Sequence, residues 1–421
     1  MTIEKTEAAH VTSDKALPPG SRRQVFAYMG TLMMLMAFCD PNSGLLDIPV
    51  SFVLKNTIRL NALEVSQFRL GVSTPLFLSF VFGLARDSWS PLGLGDRGHL
   101  LVFGALSVTT YAAFAFITAS PFSLFIGLLL LTVWSLFIAS AQNGLAATIG
   151  QQHAMTGQIS TVWNLFTAIP AILAFLIGGE LSDFLKDLDA QSATGSLFLM
   201  GAATSLALVA FALFRPAAVY NNVTWEHGEA VHPLVDLKRL VADPLARRAL
   251  MIWTLWNLAP GSATPLQFYI QDILGGTTGQ WGQWNALYTA AFIPTFLLFG
   301  ILCSRVALQD LLRWGTLIAI PQFVPLLVVG SLKMAILVAI PIGLMGGLAT
   351  AAYVALIMRA APLGLQGTMM MSASAAYFVA TRFGDVLASA LYDCFGDFTV
   401  CVVLCTAIYA SIFFLLPRSP K

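Results

Sequence analysis

The chain has 421 residues, of which 57% are hydrophobic and only 10% charged, with a formal net charge of +1. Soluble domains carry about 25% charged residues, so this composition describes an integral membrane protein. The near-zero net charge offers no electrostatic footprint for nucleic acid.

Residues 1–24 are polar, end in PPGSRR and hold no apolar signal-peptide core, so they are expected to form a disordered cytoplasmic tail. Beyond them, apolar windows at about 25–50, 63–85, 99–118, 122–148, 157–179 and 193–215 predict six transmembrane helices, making a first bundle over 25–215. Windows at about 248–272, 281–304, 310–330, 333–358, 365–392 and 396–416 predict six more, making a second bundle over 248–416 with a short tail at 417–421. The linker 216–247 contains PLVDLKRLVADPLARRAL, whose Leu234, Leu237, Leu240 and Val241 recur at helical spacing beside Lys238 and Arg239. That pattern predicts an amphipathic helix on the inner leaflet. Arg86, Arg97, Arg215, Arg247, Arg248, Arg305 and Arg359 fall in alternate loops, against Lys55, Arg59, Lys186 and Lys333 in the others. The positive-inside rule then puts both termini in the cytoplasm, with the protein expected in a bacterial inner membrane.

The first window holds two carboxylates, Asp40 and Asp47, beside Asn42 and Pro41. A charge at mid-bilayer costs roughly 2.5–3.5 kcal/mol on insertion scales, so these residues need a reason. Asp40 is the deeper and is expected either to carry a coupling proton or to cap the helix break at Pro41. Asp47 is expected at the outer rim. Arg69, Arg382 and Asp385 fall in the outer halves of the second and eleventh spans. They are read as an outer gate with Asp47, as anion-binding groups for substrate, or as a local pair three residues apart on one helix.

Amides and aromatic residues interrupt other spans: Gln142 and Asn143, Trp163 and Asn164, Trp256, Asn257 and Gln267, Asn285 and Tyr288, Tyr353, and Tyr377. In lipid each needs a partner, supplied by a neighbouring helix or by a water-filled cavity with its ligand. They are the candidate cavity lining. No phosphate-binding loop, nucleophile–base pair or cluster of metal ligands is apparent, so no cofactor, no metal and no enzymatic activity are expected.

The two halves repeat. Shifted by 219 residues, Pro41 falls on Pro260, Ser43 on Ser262, Pro75 on Pro294 and Arg86 on Arg305; a weaker shift of 210 pairs Gly157 with Gly367. Two six-helix repeats joined by a cytoplasmic loop match one transporter architecture. With GLARD (Gly83 to Asp87) after the second span and DRGH (Asp96 to His99, including Arg97) further on, the chain resembles the major facilitator superfamily. The longer loop between these motifs is similar to that of the folate-biopterin transporters, the muropeptide permeases and the relatives that assist bacteriochlorophyll antenna assembly. The resemblance implies an all-α fold of twelve helices and a monomer. It also implies alternating access around a central site lined by spans one, four, seven and ten, with Gly83, Asp87 and Arg97 as the inner-loop signature. The expected function is secondary active transport of a small organic solute, possibly anionic, coupled to protons. Its partners are that solute, the proton and the lipid bilayer. The alternatives are passive facilitation, or a non-transporting factor that binds pigment or lipid on the same fold.

Overall fold

The computed structural model describes residues 17–60, 62–185, 188–221, 233–259 and 264–416, and among them it contains helices and no strand. Helices are what lipid demands: each backbone N–H and C=O must be paired within its own segment where no water can reach it. Eight helices among the described residues are long and apolar enough to cross a membrane.

The first half comprises α1 (Pro19–Cys39), α2 (Asp47–Phe52), α3 (Ala62–Phe77), α4 (Ser79–Ser88), α5 (Asp96–Ala115), α6 (Pro121–Gln152), α7 (Thr156–Leu185) and α8 (Ala190–Leu213). A short turn of helix, α9 (Ala217–Tyr220), and α10 (Pro233–Ala242) precede the second half. That half comprises α11 (Pro244–Asn257), α12 (Thr264–Phe268), α13 (Thr278–Leu302), α14 (Leu308–Ala319), α15 (Leu332–Ala360), α16 (Gln366–Phe395) and α17 (Phe398–Leu415). In α10, Leu240 is buried while Val235, Lys238 and Arg239 are exposed. The polar tail before residue 17, Lys186, the stretch containing Pro260 and Ser262, and the tail after 416 lie outside the described residues.

Polar residues at the loop ends start the helices. Ser120 and Thr277 form capping boxes with Ser123 and Gln280, while Asp189, Asp243 and Asp397 accept hydrogen bonds from the first free N–H groups of α8, α11 and α17. Proline divides some spans and not others. The first span is interrupted between α1 and α2 at Pro41, and the second between α3 and α4 after Pro75, whereas Pro170, Pro294 and Pro341 lie inside unbroken α7, α13 and α15.

Within the first half α5 packs on α6 and α8, and α1 on α7; within the second, α15 packs on α13 and α14. The halves meet along two seams, α16 against α4 and α6, and α7 against α13 and α15. Large apolar side chains are split between the two environments. Met29, Leu32, Trp284, Phe299 and Tyr353 are fully enclosed, while Phe116, Val386 and Phe414 point outward, where hydrocarbon would receive them.

Candidate functional site

The first span breaks for a local reason. Pro41 has no N–H to give to the carbonyl of Ala37, and it pushes the preceding residue out of the helical region. Asp40 accordingly sits at φ −63°, ψ 119°. Its carboxylate closes the turn: Oδ1 accepts from the backbone N of Asn42 at 3.0 Å and Oδ2 from Ser43 Oγ at 2.6 Å. Asn42 then donates to Thr132 Oγ1 at 3.1 Å, fastening the turn to α6. Asp40 thus occupies the capping position, with both oxygens engaged by hydrogen-bond donors.

The seventh span is split as well. It stops at Asn257 and resumes at Thr264, where Asp385 of α16 receives the Thr264 backbone N–H at 2.9 Å and its hydroxyl at 2.8 Å. Asp385 therefore caps α12 within its own half and does not pair with Arg382, which is exposed and forms no ion pair among the described residues. Arg69 donates to Ser51 in the other half, and Asp47 begins α2. The hydrogen bonds described for Arg69 and Asp385 thus lie within their own halves.

The amides separate into two classes. Asn143 accepts from Trp163 Nε1 at 3.2 Å and reaches Met371 Sδ of the other half at 3.8 Å. Asn164 donates to Ser160, whose hydroxyl crosses to the Ala351 carbonyl at 2.7 Å. Asn143 and Ser160 thus reach across the junction of the halves, while Asn164 bonds back within α7. Gln142 is buried, and its Oε1 has no hydrogen-bond partner among the described residues. By contrast Asn257 and Asn285 bond back to their own helices at Trp253 and Trp281, and Gln267 contacts Gln271. Trp256 stacks on Tyr409 and meets Tyr353 edge-on, while Tyr353 shares a 2.6 Å hydrogen bond with Thr316. Trp256 and Tyr353 are thus core residues of the second bundle. Tyr288 belongs to an aromatic ladder along α13 through Trp281, Trp284, Phe292 and Phe296, and Tyr377 is partly exposed beside Phe378.

The densest polar constellation lies at the end of the molecule that carries the basic loops. Asp87, closing α4, accepts from the backbone N–H groups of Gly367 (3.1 Å) and Thr368 (2.6 Å) and from Thr368 Oγ1 (2.7 Å), all in the first turn of α16. A carboxylate there satisfies free N–H groups and also faces the positive end of the helix dipole. Arg86 joins Asp87 at 2.7 Å and grips Asp96 through two bonds of 2.5 and 2.7 Å, with both Arg86 and Asp96 buried. Gly83 makes this approach possible, since a Cβ there would stand 2.6 Å from the Gly367 carbonyl oxygen. A second latch lies beside it: Gln151 donates to the carbonyls of Met358 (2.9 Å) and Ala361 (2.6 Å) and accepts from Gln366 at 3.0 Å. Arg97 has a different task, capping the C-terminus of α8 at the Ala212 and Leu213 carbonyls.

Asp96, Gln151, Gln366 and Thr368 were not singled out from the sequence. Asp96 alone carried a signal, standing beside Arg97 in the quoted DRGH.

No protein-family model matches the chain. A fucose transporter solved in the outward conformation, FucP, superposes with TM-score 0.72 over 94% of this chain and 99% of its own at 15% identity. FucP is titled a major facilitator superfamily transporter, and this chain shares its fold. Two further solved structures share the fold. The human organic anion transporter MFSD10 gives TM-score 0.66 at 18% identity, covering 95% of this chain and 100% of its own. A bacterial homologue of the iron transporter ferroportin, in an outward-facing state, gives 0.65 at 16%, covering 93% and 98%. Among curated sequences, Folate transporter 2 of Plasmodium falciparum is 18% identical over 301 residues, 71% of this chain. The alignment spans 64% of that relative's length.

Proposed function

We propose that this chain is a secondary active transporter that moves a small organic solute by alternating access and is coupled to protons. It would reside in a bacterial cytoplasmic membrane, with both termini and the basic end inside. One observation carries the reading. The two halves are latched together at the basic end by Asp87, Gln151 and Gln366. A pair of bundles joined at one end by breakable hydrogen bonds is what a rocking mechanism needs. The relatives support the class of cargo: one is named a folate transporter and another an organic anion transporter, and a solved form of FucP is titled a fucose:proton symporter. Arg382, exposed and outside any ion pair among the described residues, is the guanidinium left to meet an anionic solute.

Asp40 is the proposed proton carrier, and its geometry states what carriage requires: protonation would turn an acceptor of two hydrogen bonds into a donor and loosen the turn at Asn42 and Ser43. The same bonds favour a second reading, passive facilitation, in which Asp40 stays ionised as a cap. Proteoliposomes holding a pH-sensitive dye decide between them, with organic anions and neutral metabolites screened against the native protein and Asp40→Asn. Solute-driven proton entry that disappears in a folded Asp40→Asn protein supports coupling. Solute entry with no proton signal, unchanged by the substitution, leaves facilitation standing.

A further inference from the structure

Behind the turn that divides the first span lies a small cavity of about 10 Å³, whose walls include Cys39, Pro41, Ser107, Tyr111, Ser135 and Ser205. It lies among four spans of one half: the broken first span, α5, α6 and α8. Its volume is about what a single water centre needs, and a cavity of that size stays dry when its walls are apolar but fills when they offer two or more polar partners. Met36, Leu131, Ile138 and Leu208 supply apolar walls, and Ser107, Tyr111, Ser135 and Ser205 bring the polar partners.

Tyr111 is the decisive wall. It is 2% exposed, and its hydroxyl makes no hydrogen bond among the described residues. Its ring is held in place by α8, where Gly201 lies so close that any Cβ would collide with it. A buried phenol with no acceptor is costly in lipid, and native structures rarely leave one without a partner. Ser107 donates to the Phe103 carbonyl and Ser135 to the Thr132 carbonyl, both at 2.9 Å, so each has spent its hydrogen and retains acceptor capacity. The Tyr111 hydroxyl is thus a donor and the Ser107 and Ser135 oxygens are acceptors, a set that one water molecule complements, with the Ser205 hydroxyl as a further polar group in the wall.

We infer that a resident water molecule occupies this cavity, accepting from the Tyr111 hydroxyl and donating to the Ser107 and Ser135 oxygens. The occupant is neutral: no charged side chain bounds the cavity, and both oxygens of the nearby Asp40 carboxylate are engaged by Asn42 and Ser43. The water lies directly behind the break in the first span, against Cys39 and Pro41. Beside the direct Asn42–Thr132 bond, the break at Pro41 then has a hydrated joint, able to exchange hydrogen-bond partners as the segment turns.

The test uses X-ray radiolysis of the full chain in nanodiscs, read by mass spectrometry. Bound water generates hydroxyl radicals that oxidise the side chains touching it. Met36 borders the cavity and Met29, on the same helix and fully buried, does not. Met36 should oxidise several-fold faster than Met29, and Tyr111→Phe, which removes one oxygen and no bulk from the ring, should bring Met36 down to the Met29 rate. Equal slow oxidation of the two methionines in the native protein overturns the inference, as does fast Met36 oxidation that persists in Tyr111→Phe. Ser205→Val provides a second measurement, because it fills the cavity with an apolar group. A melting temperature above that of the native protein would mean the cavity had been dry, and would overturn the inference.

Discussion

Arg86 shows how one residue can be placed correctly in a sequence and still be misread. Its match to Arg305 under the 219-residue shift suggests two helix-end anchors at the membrane interface. Arg305 is indeed exposed, but Arg86 is 8% exposed and forks onto Asp96 while also touching Asp87. A guanidinium presents donors in a planar array that a lysine ammonium cannot reproduce, so Arg86→Lys should lose one side of the fork. Arg86→Met leaves Asp96 buried without its counter-charge and should destabilise the fold by about 3–5 kcal/mol. Unfolding in detergent measures both, with the lysine variant expected between native and methionine; an unchanged midpoint for Arg86→Met would remove the ion pair from the account of stability. The Asp40 turn is local, with partners two and three residues away, so its capping option was legible beside Pro41. The bonds from Asp87 to Gly367 and Thr368 span 280 and 281 positions, and no local pattern carries that information.

Among elements, hydropathy locates the spans because lipid imposes one requirement along the whole length of each. What it misses is where a span breaks. Pro75 and Pro294 align in the repeat, yet the first ends α3 two residues later and the second runs through α13 without interruption. A proline only frees a carbonyl; whether the helix parts depends on what the neighbouring helices offer that group. Helix starts were more readable, since a cap is a local bond. Asp397, fully exposed at the head of α17, accepts from the Thr399 backbone N–H at 2.8 Å, and that bond holds its carboxyl below the usual carboxylate value. Because the folded value is the lower one, the cap's contribution is complete above the unfolded carboxylate value and is lost as the pH falls through the folded one. Asp397→Asn retains a capping oxygen without the titration. Thermal melts of native and variant proteins should therefore differ most at neutral pH and converge in acid; a gap that stays constant with pH would show that the charge is irrelevant to the cap.

At the scale of the molecule, the cavity residues predicted from composition divide between two destinations. Asn143 reaches the seam between the halves, with Trp163 bonded to it, whereas Trp256 and Tyr353 build the interior of one half. Both kinds look alike in a sequence, because an aromatic or amide in an apolar run records only that some partner exists. The seam itself is expected to be the moving part, and its strength at the basic end rests on Asp87. Hydrogen bonds to a charged group are worth about 1.5–3 kcal/mol net, so Asp87→Ala should shift the balance of open and closed forms at that end by about tenfold or more. Ser160, wholly buried at the seam, is the reporter: as the single cysteine of a variant chain it should react faster with an impermeant thiol reagent from the basic side once Asp87 is replaced. Labelling that does not change would show that Asp87 is not what holds this end shut.

The Asp87 latch also has a genetic signature. Of the three donors it receives from the other half, two are main-chain amides and the third is a hydroxyl on the same residue as one of them. An ion pair between two side chains can be repaired by exchanging the charges, so a damaged partner can be rescued by a reciprocal change in the other. Here position 368 has no charge to exchange, and most side chains at that position would still present the same N–H. A screen for second-site revertants of an Asp87 mutant should therefore return nothing at 367 or 368. Proline at 368, which deletes an amide hydrogen without altering any charge, should reproduce the Asp87 defect by itself.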